Sequence, residues 1–402
     1  VINKIISYIF RILFNILASF FSVRKKTIIF ESFNGKLPSD NPLAIYQEFV
    51  KEDEANSWKL YWGIKKQYVV KAKEIYPDYN FIVRFSLKWL LLTARANYWV
   101  FNSRMPIWLK KNKGTIYIQT WHGTPLKKLG SDIKKVAIPG TDTKKYHDAF
   151  IYESGRWDYL IAPNNYSKEI FKRAFSFKNS FLEIGYPRND CLNARKNDED
   201  FKKRLKHKII GKESGKVFLY APTWRDDYYI SKGKYKFFMP FKLNKIVSIL
   251  GEEDILIIRP HYLVGDSIDV SNYGDKIRVC INEDIDELYL ISDAMITDYS
   301  SVMFDYAHLK RPMLFYAYDF DYYKEELRGF YFNYNTDLPG PIVITEVDFY
   351  EAFSSLVQSV KINEQYKEKY NFFFHKFCKE SSTGSKSVVE LILNEKNHQN
   401  ER

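Results

Sequence analysis

Four short stretches carry residue types suited to handling a phosphoryl group, and each directly follows an apolar run. Trp121-His122-Gly123-Thr124-Pro125 comes after Thr115 to Ile118, and Ala221-Pro222-Thr223-Trp224-Arg225-Asp226 after Val217 to Tyr220. Arg259-Pro260-His261 follows Ile255 to Ile258, and Thr297-Asp298-Tyr299-Ser300-Ser301-Val302-Met303-Phe304-Asp305 stands where a strand turns into a helix. A histidine such as His122 can take a proton near neutral pH. Ser300 and Ser301 fall at a predicted helix N-terminus, where free N–H groups favour an anion, and their hydroxyls add donors. Each stretch also has a plainer reading. His122 can be a structural histidine packed on Trp121, and Asp298 or Ser300 an ordinary helix cap. Arg259 with His261 can be a surface pair, and Arg225 with Asp226 a salt bridge. Finding all four at carboxyl ends of predicted strands favours one cleft between two domains, built for a phosphorylated ligand.

The elements that must position these residues alternate along the chain. Strands are predicted at Thr27 to Glu31, Lys59 to Ile64, Tyr98 to Asn102, Thr115 to Thr120, Tyr159 to Ala162 and Phe181 to Gly185. Helical patterns lie between most of them, as a doubly wound α/β domain requires. A charged, glycine-containing stretch at residues 192 to 216 marks a boundary. A second alternating set follows: Val217 to Ala221, Ile255 to Arg259, Lys276 to Ile281, Ala294 to Thr297 and Met313 to Tyr316. The expected organisation is therefore a Rossmann-like domain over 27–210, a second over 211–346, and a charged helical tail over 347–402. A tail that crosses back to the first domain is one topological option. Gly211-Lys212-Glu213-Ser214-Gly215-Lys216 is one residue short of a phosphate loop, and Val217 stands where Ser or Thr is needed, so it is set aside.

Residues 1–26 form a separate element. Lys4, Ser7, Arg11, Asn15, Ser19 and Ser22 recur at helical steps among Ile, Leu, Phe, Val and Tyr, and Arg24-Lys25-Lys26 closes the segment. A spanning helix would carry Arg11 and Asn15 near mid-bilayer, which is costly. The pattern predicts an amphipathic helix lying in the membrane interface, with its lysines and arginines towards anionic lipid. A helix docked on the protein's own body, or a dimer seam, is the competing reading. The net charge of +12 over 402 residues likewise points to an anionic partner. Nucleic acid is the disfavoured one, because neither an RNP-type aromatic strand nor a recognition-helix unit is visible. Three widely spaced cysteines (Cys191, Cys280, Cys378) form no disulfide framework and suit a reducing cytosol. With no Gly-x-Gly-x-x-Gly, no His-Glu-x-x-His and no Gly-x-Ser-x-Gly, hydride transfer, zinc hydrolysis and serine hydrolysis lose ground.

In order, Trp121 to Pro125, Gly185-Tyr186-Pro187-Arg188-Asn189-Asp190, Ala221 to Arg225, Arg259 to His261 and Ile296 to Ser301 resemble the motifs of the CDP-glycerol glycerophosphotransferases of teichoic acid synthesis. The resemblance runs from about Ile28 to Gly340. It implies a GT-B-like fold and a peripheral, monotopic enzyme at the cytoplasmic membrane face of a Gram-positive bacterium. Such an enzyme moves glycerol phosphate from CDP-glycerol to a hydroxyl of a lipid-linked acceptor and releases CMP. It further implies His122 as the base and His261 as a second catalytic histidine. Asp298, Ser300 and Ser301 become donor-phosphate contacts. Arg259, Thr223 and Arg225 are candidates for the same diphosphate, and Asp305 for the ribose. Lys127 and Lys128, with Arg11, Arg24, Lys25 and Lys26, are expected on the acceptor and membrane side.

Neither a bound cofactor nor a metal site is expected; magnesium assistance and the oligomeric state stay open. Because polymerases commonly carry a further large N-terminal region, the single transferase unit favours a primase acting on an undecaprenyl-diphosphate-linked disaccharide. The alternatives are a glycerol or ribitol phosphate polymerase, a capsule enzyme of the same family, or a nucleotide-sugar glycosyltransferase of GT-B architecture.

Overall fold

A computed structural model of the chain describes residues 2–53, 56–136, 142–223, 229–231, 234–235, 238–260, 268–320 and 329–394. Residues 2–6 and the short hairpin at 229–235 are described by backbone alone. The chain divides into two compact units. The first comprises residues 1–123, 129–190 and 381–402, and the second residues 124–128 and 191–380.

The first unit is built on a parallel sheet of seven strands: β1 (Arg24–Glu31), β2 (Lys59–Ile64), β3 (Phe81–Val83), β4 (Ala96–Phe101), β5 (Ile116–Gln119), β6 (Tyr159–Ala162) and β7 (Ser180–Glu183). Their order is β3-β2-β1-β4-β5-β6-β7. Every residue of β4 is buried, as a parallel strand covered on both faces demands. The second unit repeats the plan. A hairpin, β9 (Tyr229–Ser231) with β10 (Lys234–Tyr235), stands apart from its main sheet. That sheet comprises β8 (Val217–Tyr220), β11 (Ile255–Ile258), β12 (Ile277–Val279), β13 (Ala294–Thr297), β14 (Met313–Tyr316) and β15 (Ile342–Val343). All its pairings are parallel, in the order β12-β11-β8-β13-β14-β15. In both sheets strand order reverses beside the first strand, between β1 and β4 and between β8 and β13. Doubly wound folds bind ligands at that switch point, outside the carboxyl ends of the strands.

The predicted strands are all present, to within a few residues at their ends. The short strands β3 and β15 were not anticipated: three and two residues give too little periodicity to read.

The N-terminal helix, Ile2–Phe20, docks along one face on the protein's own body. Phe14 and Ala18 are buried. Phe10 and Phe14 pack on Trp89 and Trp108, with ring centroids 5.8–6.4 Å apart. The polar stripe runs along the seam. Asn15 Nδ2 donates to the Trp108 carbonyl at 3.1 Å, its Oδ1 accepts the Lys110 amide at 3.0 Å, and the Arg11 guanidinium lies 5.3 Å from the Trp108 ring. The opposite face, Tyr8, Ile9, Ile12, Leu13, Ile16 and Phe20, is exposed, as are Leu87, Leu91 and Ile107 nearby in the unit. Asn15 therefore faces protein rather than lipid, and the open face is apolar. Arg24, Lys25 and Lys26 are exposed at the amino end of β1. The Lys4 side chain lies outside the described residues. No helix among the described residues is long and apolar enough to cross a membrane.

The helix rests on a buried charge pair. Glu31, at the end of β1, is 2% exposed and lies 3.1 Å from Arg84, itself buried. Trp89 Nε1 donates to the same carboxylate at 2.8 Å. Gly63 on β2 makes room: a Cβ there would stand 2.3 Å from Glu31 Oε1. Removing one partner of such a pair strands the other charge without solvent. Glu31→Ala is therefore expected to lower the unfolding free energy of the first unit by roughly 3–5 kcal/mol, measured by urea denaturation. A loss within the range of an ordinary surface substitution would show that the pair contributes little.

Candidate active site

Beyond β4 the chain reaches Asn102, fully buried at the switch point of the first sheet. Both ends of its side-chain amide and its carbonyl oxygen are used. Its Oδ1 accepts the Phe33 amide at 2.8 Å, from the loop after β1. Its Nδ2 donates to Asp40 Oδ2 at 2.5 Å, and its carbonyl oxygen stands 2.7 Å from Nδ1 of His122. A carbonyl oxygen can only accept, so the proton of a neutral His122 ring sits on Nδ1. That leaves the Nε2 lone pair bare. The ring is open to solvent on one side, yet stacks on Trp121 (centroids 4.6 Å apart, planes at 25°) and meets the edge of Phe33 at 5.7 Å. The packed histidine and the available base are thus the same residue.

Local backbone geometry aims it. Trp121 has φ +52°, a left-handed conformation that costs a bulky residue about 1–3 kcal/mol. The turn is held from outside: buried Asn41 donates to the carbonyls of Trp121 (3.1 Å) and Thr120 (3.4 Å) and accepts the Arg188 amide at 3.2 Å. Arg188 in turn pairs with Asp40 at 2.5 Å. Desolvation by the surrounding protein lowers the His122 pKa below its ordinary 6.5. The hydrogen bond to Asn102 and the Asp40 charge oppose that shift, while the Arg188 and Arg104 charges add to it. That direction favours the neutral ring, which can accept a proton, at neutral pH.

In the second unit the same kind of junction joins β8 to β13. Asp298, directly after β13, is 2% exposed, and its Oδ1 accepts the Thr223 amide at 2.7 Å. Thr297 Oγ1 donates to the Ala221 carbonyl at 2.7 Å, and Tyr334 donates its hydroxyl to the Asp298 carbonyl at 2.9 Å. These bonds tie the two motif-bearing loops to each other. Ser300 and Ser301 follow, half-buried, with Ser301 as N-cap of the short helix Val302–Tyr306. Neither serine side chain caps the helix or bonds another described residue. Arg259, after β11, donates from Nη1 to the Cys280 carbonyl at 3.0 Å, and desolvation lowers its pKa. Asp305 is buried; together with desolvation, its charge raises the Cys378 thiol. Lys127 and Lys128 lie in the strip 124–128 assigned to this unit. Lys127 bridges Phe330, and the Lys128 amide donates to the Gly329 carbonyl at 3.2 Å. Arg225 and His261 lie outside the described residues.

The sequence motifs thus place His122 in the first unit and Thr223, Arg259, Asp298, Ser300, Ser301 and Asp305 in the second. Asp40, Asn41 and Asn102 were missed, and Arg188 was quoted without a role. A polar residue just past a buried strand was the only available sign of Asn102. Asp190 of the same motif accepts the amides of Gly384 (3.0 Å) and Ser385 (2.7 Å), fastening the helix Gly384–Leu393 to the first unit.

The teichoic acid poly(glycerol phosphate) polymerase of Bacillus subtilis (strain 168) is 47% identical over 395 residues, 97% of this chain and 52% of that protein. The chain therefore spans about half the length of that relative. The polymerase of the same name from Bacillus spizizenii is 43% identical, covering 97% of this chain and 96% of its own. The solved structure of the wall teichoic acid polymerase TagF superposes with a TM-score of 0.87 at 41% identity, covering 97% of this chain and 94% of that one. Relatives named teichoic acid glycerol-phosphate primases, from the same two Bacillus species, match at 34% and 31% over 61% and 56% of the chain. Length, on which the priming expectation rested, does not separate the two groups, since one polymerase is matched nearly end to end. A UDP-GlcNAc 2-epimerase from Neisseria meningitidis, at 12% identity and TM-score 0.51, shares only the fold of two parallel-sheet α/β domains. A family model described as CDP-Glycerol:Poly(glycerophosphate) glycerophosphotransferase matches residues 13–394, and the chain belongs to that family.

Proposed function

We propose that the chain extends a poly(glycerol phosphate) polymer of teichoic acid, moving glycerol phosphate from CDP-glycerol onto the polymer's terminal hydroxyl and releasing CMP. Polymerase relatives at 43–47% identity support this over priming of a lipid-linked disaccharide. The observation that carries the chemistry is the His122 ring, with Nδ1 committed to Asn102 and Nε2 bonded to none of the described residues. The acceptor oxygen attacks the phosphorus bearing the glycerol. A new P–O bond forms, the bond to the bridging diphosphate oxygen breaks, and CMP departs with that electron pair. The acceptor proton passes to Nε2 of His122. Charge spread over the phosphoryl oxygens in flight is stabilised by donors fixed in advance. Ser300, Ser301 and Arg259 are proposed for that role, with Arg225 and His261 of the same motifs. Asp298 serves by holding the Thr223 loop in place. The helix Val302–Tyr306 has five residues, so its dipole is small and the hydroxyls and amides must do most of the binding. Lys127 and Lys128 are proposed on the acceptor side.

Attachment to the cytoplasmic face of an anionic membrane completes the reading. Its support is the row of exposed apolar residues on the N-terminal helix, flanked by Arg11, Arg24, Lys25 and Lys26.

Four measurements test these assignments. His122→Ala is expected to reduce kcat by about 10²–10⁴-fold while CDP-glycerol still binds; loss of donor affinity with turnover preserved would contradict a base. In the unaltered protein, kcat/KM should fall as pH drops through an apparent pKa below 6.5 and stay level above it, because only the neutral ring of the free enzyme accepts a proton. Mass analysis of products should give a ladder of glycerol phosphate additions; a single addition would return the priming reading. Finally, Ile12→Glu with Ile16→Glu should abolish co-sedimentation with anionic vesicles without changing Tm. Undiminished binding would remove the helix face from the membrane contact.

A further inference from the structure

Arg104 stands two residues past Asn102, a backbone reach of at most about 7 Å. Its guanidinium lies 4.2 Å from the Phe150 ring and 5.5 Å from that of Tyr146, both on the helix Thr143–Ser154. Phe150 packs against Trp121 at 6.2 Å, and Trp121 carries the His122 ring. One aromatic layer therefore links the cation to the base. The neighbouring arginines all have carboxylates: Arg84 has Glu31, Arg188 has Asp40, and Arg156 has Glu153. Glu153, the buried acid on the same helix, also accepts the Met105 amide at 2.8 Å. Among the described residues no carboxylate pairs with Arg104, and burial lowers its pKa.

A half-buried guanidinium balanced only by ring faces is poorly compensated, yet its planar fork is already ordered. Such a group suits two oxygens of a phosphate. Resting on the transfer reaction proposed above, we infer that Arg104 binds the phosphodiester next to the acceptor's terminal hydroxyl and so sets that hydroxyl against Nε2 of His122. A growing poly(glycerol phosphate) chain presents a phosphodiester at the same distance from each new end. A residue that reads it favours extension over attack by a phosphate-free acceptor.

The test compares three synthetic acceptors with CDP-glycerol as donor. One ends in a single glycerol phosphodiester on a neutral alkyl chain, one is the same without phosphate, and one carries a lipid diphosphate without glycerol phosphate. The unaltered protein should prefer the first over the second by about tenfold in KM, the scale of one charge-assisted hydrogen-bonded contact. Arg104→Met keeps the stem that packs on Phe150 and should collapse this preference to near unity with Tm and CDP-glycerol affinity unchanged. Arg104→Lys should restore part of it. An equal loss on all acceptors, weakened CDP-glycerol binding, or an intact preference would overturn the assignment. A loss confined to the lipid diphosphate acceptor would overturn it in favour of that other anion. If the unaltered protein transfers glycerol phosphate to none of the three, the transfer reading itself fails, an outcome distinct from an active enzyme indifferent to Arg104.

Discussion

The hydrogen bond between Nδ1 of His122 and the carbonyl of Asn102 is the constraint from which the chemistry of the first unit follows. A free imidazole exchanges its proton between two nitrogens, so either one can meet a partner without its lone pair available. Here a buried carbonyl at the end of β4 settles the tautomer, because it can accept but never donate. Asn102 can play that part only because its own side chain is occupied, by Phe33 on one side and Asp40 on the other. Asp40 in turn takes Arg188, and Asn41 closes the ring by gripping the strained turn at Trp121. A fixed imidazole thus depends on residues from four separate parts of the chain.

The second unit solves a related problem with the same geometry. Its carboxylate, Asp298, accepts the amide of Thr223 across the switch point between β8 and β13. Buried carboxylates that accept backbone amides rigidify loops, since few other partners can meet the charge there. Ser300 and Ser301 then emerge from a loop whose position is set. The two sheets share a strand order, so in each unit the polar residues collect where two neighbouring crossovers run to opposite faces.

The N-terminal helix shows how one sequence pattern can serve two surroundings. Asn15 is used against Trp108 and Lys110, and aromatic residues on one flank of the helix's polar stripe bury themselves on Trp89. The other flank remains apolar and open. Trp89 also donates to Glu31, so the helix rests on the same buried pair that orders the loop after β1: Arg84 donates to the Asn34 carbonyl at 3.2 Å.

Local signals in the sequence were enough for the strands, because hydrophobic period and flanking turn residues are short-range properties. They also single out His122, Thr223, Arg259, Asp298, Ser300 and Ser301, which follow apolar runs, as candidates. The family followed from those motifs in order. What no local pattern contains is the pairing of Asn102 with His122, of Asp40 with Arg188, or of Asp298 with Thr223, separated by 20, 148 and 75 positions. An asparagine after a strand reads the same whether it faces water or fixes a base. Strand order alone decides, by bringing the ends of β1, β4 and β5 to one edge, and that order is a property of the folded sheet rather than of any segment in it.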